Sequence, residues 1–131
     1  MVNNGVGGVT KPEGKYSSGL IILTGYSTPG PLNDAIPMVL KPFMPSDVRM
    51  VCPSPPKRRD PIPLPVNMWN GNNWFDMITN DGLPEAMALV DGYIKDMEAH
   101  GIPSHRVVLM GMSQGGAVTL YYALNTRYKL L

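Results

Sequence analysis

The run Val107-Val108-Leu109-Met110-Gly111-Met112-Ser113-Gln114-Gly115-Gly116-Ala117 constrains this chain more than any other stretch. A short apolar strand leads into G-x-S-x-G, and a largely apolar helix starts near Gln114. Few architectures accommodate a strand, an abrupt turn and a helix in so few residues. Gly111 and Gly115 lack a Cβ, so strand and helix can approach closely on either side of Ser113. Such a turn forces the serine into a strained conformation and lifts its hydroxyl above the sheet. The helix that begins beneath it offers its dipole and the N–H of Gln114 to an oxygen gaining negative charge. Two readings of these residues stand side by side: a nucleophile elbow, or a Gly-rich turn that binds phosphate or only packs.

The rest of the chain supplies the frame. Leu20 to Leu23 is a continuous apolar run ending in Thr24-Gly25, which suits a strand buried on both faces. Leu32, Ile36, Val39 and Leu40 fall near helical spacing, with Pro31 and Pro37 limiting any helix there to a short one. Val48 to Cys52 is a second strand. Pro53 to Asn73 carries no period, and a loop of that length in a compact domain is usually functional or an interaction segment. The clearest helix is Asp81 to His100, with Leu83, Met87, Val90, Ile94 and Met97 on one face, Asp81 as its cap and Gly101 and Pro103 as its stop. Arg106 to Met110 is the third strand. This order predicts an α/β fold with right-handed crossovers and a mainly parallel sheet flanked by helices. Residues 1–14, polar and Gly-rich, are expected to form a flexible arm before a single domain at 15–131.

Composition narrows the function classes. Charged residues make up 16% of the chain, against an average of about 25%, as though neighbouring structure covered part of the surface. A net charge of +1 provides no field for nucleic acid or an anionic membrane. Lys57, Arg58 and Arg59 are too short a basic run to form a nucleic-acid footprint. Cys52 is the only cysteine, which fits a reducing compartment. Neither a signal peptide nor a membrane-spanning run is apparent, so a soluble cytoplasmic protein without stable membrane insertion is expected.

The segment from His100 through Leu124, with Gly111-Met-Ser-Gln-Gly-Gly-Ala117 at its centre, resembles the elbow region of the acyl-protein thioesterases, in the phospholipase/carboxylesterase branch of the α/β-hydrolases. Cys52-Pro53, the Pro-rich loop through Pro65-Val66-Asn67, and Trp74-Phe75-Asp76 match the same family in the same order. The resemblance runs from about Leu20 to Leu131. It implies hydrolysis of fatty-acyl thioesters on protein cysteines, or of lysophospholipids and simple carboxyl esters, with neither metal nor cofactor. Its partners would then be acylated proteins or lysophospholipids. Carried over, Ser113 is the nucleophile, the N–H of Gln114 one oxyanion donor and the N–H of Tyr26 the second. The chain departs from the pattern at Thr24-Gly25, where the family has His-Gly, and at Ser27, which replaces a glycine. A changed loop path there would cost the second donor, worth about a hundred- to a thousandfold in rate.

A serine nucleophile needs a base, normally a His held by an acid, and in α/β-hydrolases both follow the nucleophile in the chain. Between Gln114 and Leu131 there is no Asp, Glu or His. His105, at the start of the third strand, would lie roughly 16–20 Å from the hydroxyl at about 3.3 Å per residue. His100 closes the preceding helix at the same end of the sheet. The expectation is therefore the N-terminal part of an α/β-hydrolase, with acid and base carried by polypeptide beyond Leu131. Alone, such a chain should be inactive and poorly soluble, since its third strand would present an apolar edge and the helix after Ser113 would lose its cover.

Met68, Trp69, Trp74, Phe75, Met77 and Ile78 could line an acyl-chain slot or simply pin the long loop to the core. Asp76 is assigned a structural hydrogen-bonding role, and Cys52 that of a buried inert thiol. Pro53-Ser-Pro-Pro56-Lys57-Arg58 fits a P-x-x-P core with basic residues, extended by Pro61, Pro63 and Pro65, so a polyproline-binding domain is a possible partner. The alternative function is accordingly a non-catalytic acyl-binding or Pro-loop interaction module.

Overall fold

The computed structural model describes residues 8–9, 15–26, 28, 30–57, 72–76 and 78–131. Ser27, Arg58, Arg59, Pro61, Pro63, Pro65, Met68, Trp69 and Met77 lie outside them. The elements are β1 (Gly8–Val9), β2 (Ser18–Leu23), α1 (Gly30–Leu40), β3 (Val48–Cys52), α2 (Leu83–Ala99), β4 (Val107–Gly111) and α3 (Gln114–Asn125). The sheet order is β1-β3-β2-β4. β2 is parallel to both β3 and β4, with Gly19 opposite Arg49 and Val107, and Ile21 opposite Val51 and Leu109. Gly8 and Val9, inside the stretch expected to be a flexible arm, pair antiparallel with Cys52 and Val51.

The alternation of β2 and β3 divides the core in two. Ile21, Leu23 and Val51 point to one face, where Val90, Ile94 and Met97 of α2, Val118 and Tyr122 of α3, and Trp74 complete a buried cluster. Leu20, Ile22, Val48, Met50 and Cys52 point to the other face, under Ile36 and Leu40 of α1. Each such side chain contributes about 1.5–3 kcal/mol when fully buried. The charge-poor, β-branched strands are thus covered on both sides, as the run Leu20 to Leu23 required. Together they form part of an α/β-hydrolase-like fold, a small mainly parallel sheet flanked by helices.

Two helix boundaries differ from expectation. α1 is not cut short but runs through Pro37, which is buried. Its ring removes only the bond to the Asn33 carbonyl, while the Asn33 side chain anchors the helix by donating to Ser54 Oγ at 2.9 Å. Pro31 lies in the first turn, where no donor is missed. Asp81 does not cap α2. Gly82 takes the N-cap position at φ 101°, so the helix starts one residue too late for the Asp81 side chain to reach it. Asp76 organises this turn instead, its Oδ1 accepting from the N–H groups of Ile78 and Thr79 at 2.8 and 2.9 Å.

The other end of α2 stops as the sequence dictates. Gly101, at φ 79°, donates to Glu98 O and Ile102 donates to Met97 O, the paired bonds of a Schellman motif. Ser104–Arg106 forms a 3-10 turn, so β4 begins at Val107, one residue after the predicted start. β4 is an edge of the described sheet. Its Val107 carbonyl accepts from Leu131 N–H, but Val108 and Met110, on the face covered elsewhere by α1, remain more than a third exposed. On α3, Leu120 and Leu124 are 69% and 85% exposed.

Candidate active site

Strand order reverses at β2: the connection through α1 leads to β3 on one side, while β4 lies on the other. Ligands of open α/β sheets bind at the carboxyl ends of the strands beside such a switch point. Those ends are here Leu23-Thr24-Gly25 and Gly111-Met112-Ser113, joined by a bond from Met112 N–H to Leu23 O at 2.9 Å.

Ser113 is the N-cap of α3 and holds φ 52°, ψ −120°. A non-glycine residue in such a conformation costs of order 1–3 kcal/mol and persists only where its surroundings enforce it. The enforcement comes from the flanking glycines. A Cβ on Gly115 would sit 2.1 Å from Leu23 O, and one on Gly111 would sit 2.2 Å from Gly115 O. Strand end and helix start are therefore in backbone-to-backbone contact, and the serine at the apex is pushed outward to an exposed position. The first helical bond runs from Ala117 N–H to Ser113 O. The N–H of Gln114 belongs to the first turn, whose amides an α-helix leaves unpaired.

The strip after β2 lies against the serine. A Cβ on Gly25 would be 3.2 Å from Ser113 Cβ and 3.7 Å from its Oγ. Gly25 O accepts from Thr28 Oγ1 at 2.8 Å, which closes the turn containing the half-buried Tyr26.

The third wall is the Trp74-Phe75 segment, and its attachment involves a side chain to which the sequence alone assigns no role. Gln114, buried beneath the elbow, accepts from Trp74 N–H at Oε1 and donates from Nε2 to Phe75 O, both at 2.8 Å. The Trp74 indole, 1% exposed, donates to Thr24 O at 2.8 Å. Trp74 thus fastens the loop to the core and to the strip beside Ser113, while Phe75 is half-buried against the same cluster. These contacts span 39 to 50 residues. No local pattern could have signalled them, although Trp-Phe and Ser-Gln were each conspicuous alone.

The histidines are elsewhere. His100 follows α2 with its Nδ1 2.7 Å from Asp96 O and its ring 5.9 Å from that of Tyr16. Tyr16 precedes β2 and faces the guanidinium of Arg49, near the start of β3. His105 lies in the turn before β4. Both belong to the amino end of the parallel strands, separated from Ser113 by the length of β4, about 16 Å at 3.3 Å per residue. Cys52 is buried, and loss of solvation, then the Asp34 charge, push its thiol up to about 12; it is an inert group, as its strand-end position suggested. In the Pro-rich segment, Pro53 and Pro55 are buried, and the Pro55 and Pro56 carbonyls accept from Asn72 Nδ2 and Asn73 N–H. Pro53 and Pro55 present no free face to a polyproline-binding groove. Among the described residues no group of three or more His, Cys, Asp or Glu could hold a metal ion, and no helix is long and apolar enough to cross a membrane.

The family described as Phospholipase/Carboxylesterase matches residues 4–131. Acyl-protein thioesterase 1 homolog 2 of Dictyostelium discoideum is 35% identical over 92 residues, 63% of this chain and 40% of that protein. Among solved structures, SOBER1 of Arabidopsis thaliana is 27% identical with a TM-score of 0.66, covering 82% of this chain and 55% of that one. The esterase PE8 superposes with a TM-score of 0.70 over 92% of this chain and 58% of its own, at 22% identity, a likeness of fold alone. The chain therefore spans well under two thirds of the relatives it matches.

Proposed function

Because the chain belongs to the phospholipase/carboxylesterase family, we propose that Ser113 is the nucleophile of a serine hydrolase of the acyl-protein thioesterase type. The observation that carries this reading is the Ser113 backbone at φ 52°, ψ −120° on the junction of β4 and α3. Strain of this kind presents a hydroxyl and has no packing purpose that an ordinary helix cap would not serve better.

In the proposed reaction Ser113 Oγ attacks the carbonyl carbon of a fatty-acyl thioester or carboxyl ester and passes its proton to a base. The carbonyl oxygen, now negative, takes hydrogen bonds from the N–H of Gln114 and the N–H of Tyr26, with the α3 dipole behind the first. Collapse expels the thiol or alcohol, which takes up the proton, and leaves an acyl-serine ester. Water, deprotonated by the same base, then releases the fatty acid and restores the hydroxyl. Phe75 would contact the acyl chain. Trp74 would act from behind as its support.

Among the described residues neither histidine reaches Ser113, because His100 and His105 sit at the opposite end of the strands. With neither histidine within reach of Ser113, the proposal is that this chain by itself does not turn over acyl thioesters. Two measurements test this. Joined to the C-terminal part of a family relative that carries an acid and a histidine, the chain should be labelled by an alkyl fluorophosphonate at Ser113, and its Ser113→Ala variant should not; equal labelling of both would refute the nucleophile. With the chain by itself, release of thiol from a palmitoyl thioester should stay at the uncatalysed rate. Multiple turnover by the pure monomer would refute the missing base.

A further inference from the structure

We propose that the Gln114 carboxamide is a positioning group, which through Trp74 sets the Thr24–Tyr26 strip against Ser113. The proposal rests on the reading of Ser113 as nucleophile for its catalytic meaning, but its geometry stands independently. One amide engages both backbone directions of the 74–75 segment, accepting from Trp74 N–H and donating to Phe75 O. The same tryptophan turns its indole N–H onto Thr24 O. Gln114 and Trp74 are 6% and 1% exposed, so neither water nor alternative rotamers easily replace these bonds. The chain of contacts runs from the residue after the nucleophile, through a buried indole, to the strip whose Gly25 lies against the serine side chain.

The consequence is a coupling between the two backbone donors of the proposed oxyanion pocket. One is Gln114 itself, fixed by α3. The other, at Tyr26, lies beyond the last residue of β2, on the strip that the indole holds. The carboxamide closes the path between them, so a displacement of the 72–76 segment would move the second donor and leave the first in place. A glutamine is suited to the task because it must donate and accept at once; Ala can do neither, and an ionised Glu can only accept.

The test is amide hydrogen exchange on the full chain, comparing wild type with Gln114→Ala, Gln114→Glu and Trp74→Phe at matched pH. Gln114→Ala should lose protection at least about tenfold at residues 24–26 and 73–76 and change less than about twofold in β2, β4 and α2. Trp74→Phe keeps the Gln114 bonds and should release 24–26 only. Gln114→Glu should behave as Gln114→Ala near pH 8 and as wild type near pH 5, where a buried carboxyl is neutral and can donate to Phe75 O. Uniform loss of protection, no loss, or a Glu variant insensitive to pH would overturn the proposal.

A second readout is phosphonylation by the alkyl fluorophosphonate of the same variants in the fused chain that carries an acid and a histidine, each compared with wild type at the same pH. The maximal rate should fall about tenfold in Gln114→Ala with the half-saturating concentration unchanged, and recover in Gln114→Glu at low pH. A change in half-saturation alone would contradict positioning. Absence of labelling in the wild type would count against the nucleophile, while the exchange pattern would still decide the clamp.

Discussion

Replacing Gly115 by alanine should unfold the elbow in a way that replacing its neighbour does not. The new Cβ would lie 2.1 Å from the carbonyl oxygen of Leu23 and 2.5 Å from that of Thr24. Real contacts of this type stop near 3.0 Å, so strand end and helix start must separate by about 0.9 Å. Leu23 O cannot yield freely, because it accepts from Met112 N–H. Overpacking of this kind costs about 1–3 kcal/mol, and the strained bond adds about 1 kcal/mol. Better helix propensity returns about 1 kcal/mol, for a net loss near 2 kcal/mol. Gly116 is the internal control: its Cβ would be 3.3 Å from Gly111 O, a contact relieved by a few tenths of an ångström. Its alanine variant should be neutral or slightly stabilised. With a urea slope of about 1–3 kcal/mol/M, Gly115→Ala should lower the midpoint by roughly 1 M, read by tryptophan fluorescence and circular dichroism. An unchanged midpoint, or an equal fall in both variants, would refute the claim that backbone contact at position 115 shapes the turn.

Ser113→Gly relieves a conformation worth about 1–3 kcal/mol against a backbone-entropy cost of about 0.5–1 kcal/mol; it should raise the urea midpoint, and an unchanged or lower midpoint would refute strain at this position. Arg49 and Asp96 form a largely buried ion pair at 2.8 Å, so Asp96→Ala, which strands the guanidinium, should cost about 2–3 kcal/mol by denaturation. The double change to Asp96→Leu with Arg49→Met should recover most of it. Burial and, secondarily, nearby carboxylates raise Cys52 to about 12 from 9.0 and Tyr93 to about 12 from 10.0. The unfolded chain therefore releases these protons first as the solution becomes alkaline. Stability should be insensitive to these groups below pH 9 and fall between about 9 and 12, with a shallower fall in Cys52→Ala. Finally, no charged residue occurs from Val107 to Asn125, and Val108 and Met110 are exposed on an edge strand. The chain should self-associate at micromolar concentration by sedimentation velocity, and Met110→Lys should shift it toward monomer.

What could be read from the sequence was whatever depended on neighbours in the chain. The continuous apolar run at Leu20–Leu23 had to be covered on both faces, and the glycines around Ser113 had to permit a close turn. The stop of α2 at Gly101 followed from one left-handed residue. Misreadings arose where two local signals competed. Asp81 is a good cap by residue type, but Gly82 stands between it and the helix. Pro37 argues against a helix until the anchoring of Asn33 to Ser54 is known. The Gln114–Trp74–Thr24 contacts were illegible for a different reason, since they join three segments that only the finished sheet brings together. The pairing of Gly8 and Val9 with β3 has no apolar period to announce it.

The tie between the two ends of the Pro-rich connection has an evolutionary implication. Lys57 pairs with Asn72 across an isolated bridge, and the Asn72 and Asn73 bonds to Pro55 and Pro56 brace the same neck. The two described ends on either side of residues 58–71 are thus held together by their own hydrogen bonds. Doubling such a span costs only about 0.6 kcal/mol in closure entropy, so insertions and recombination there should be tolerated. Changes of length there should leave the serine-bearing turn as it is.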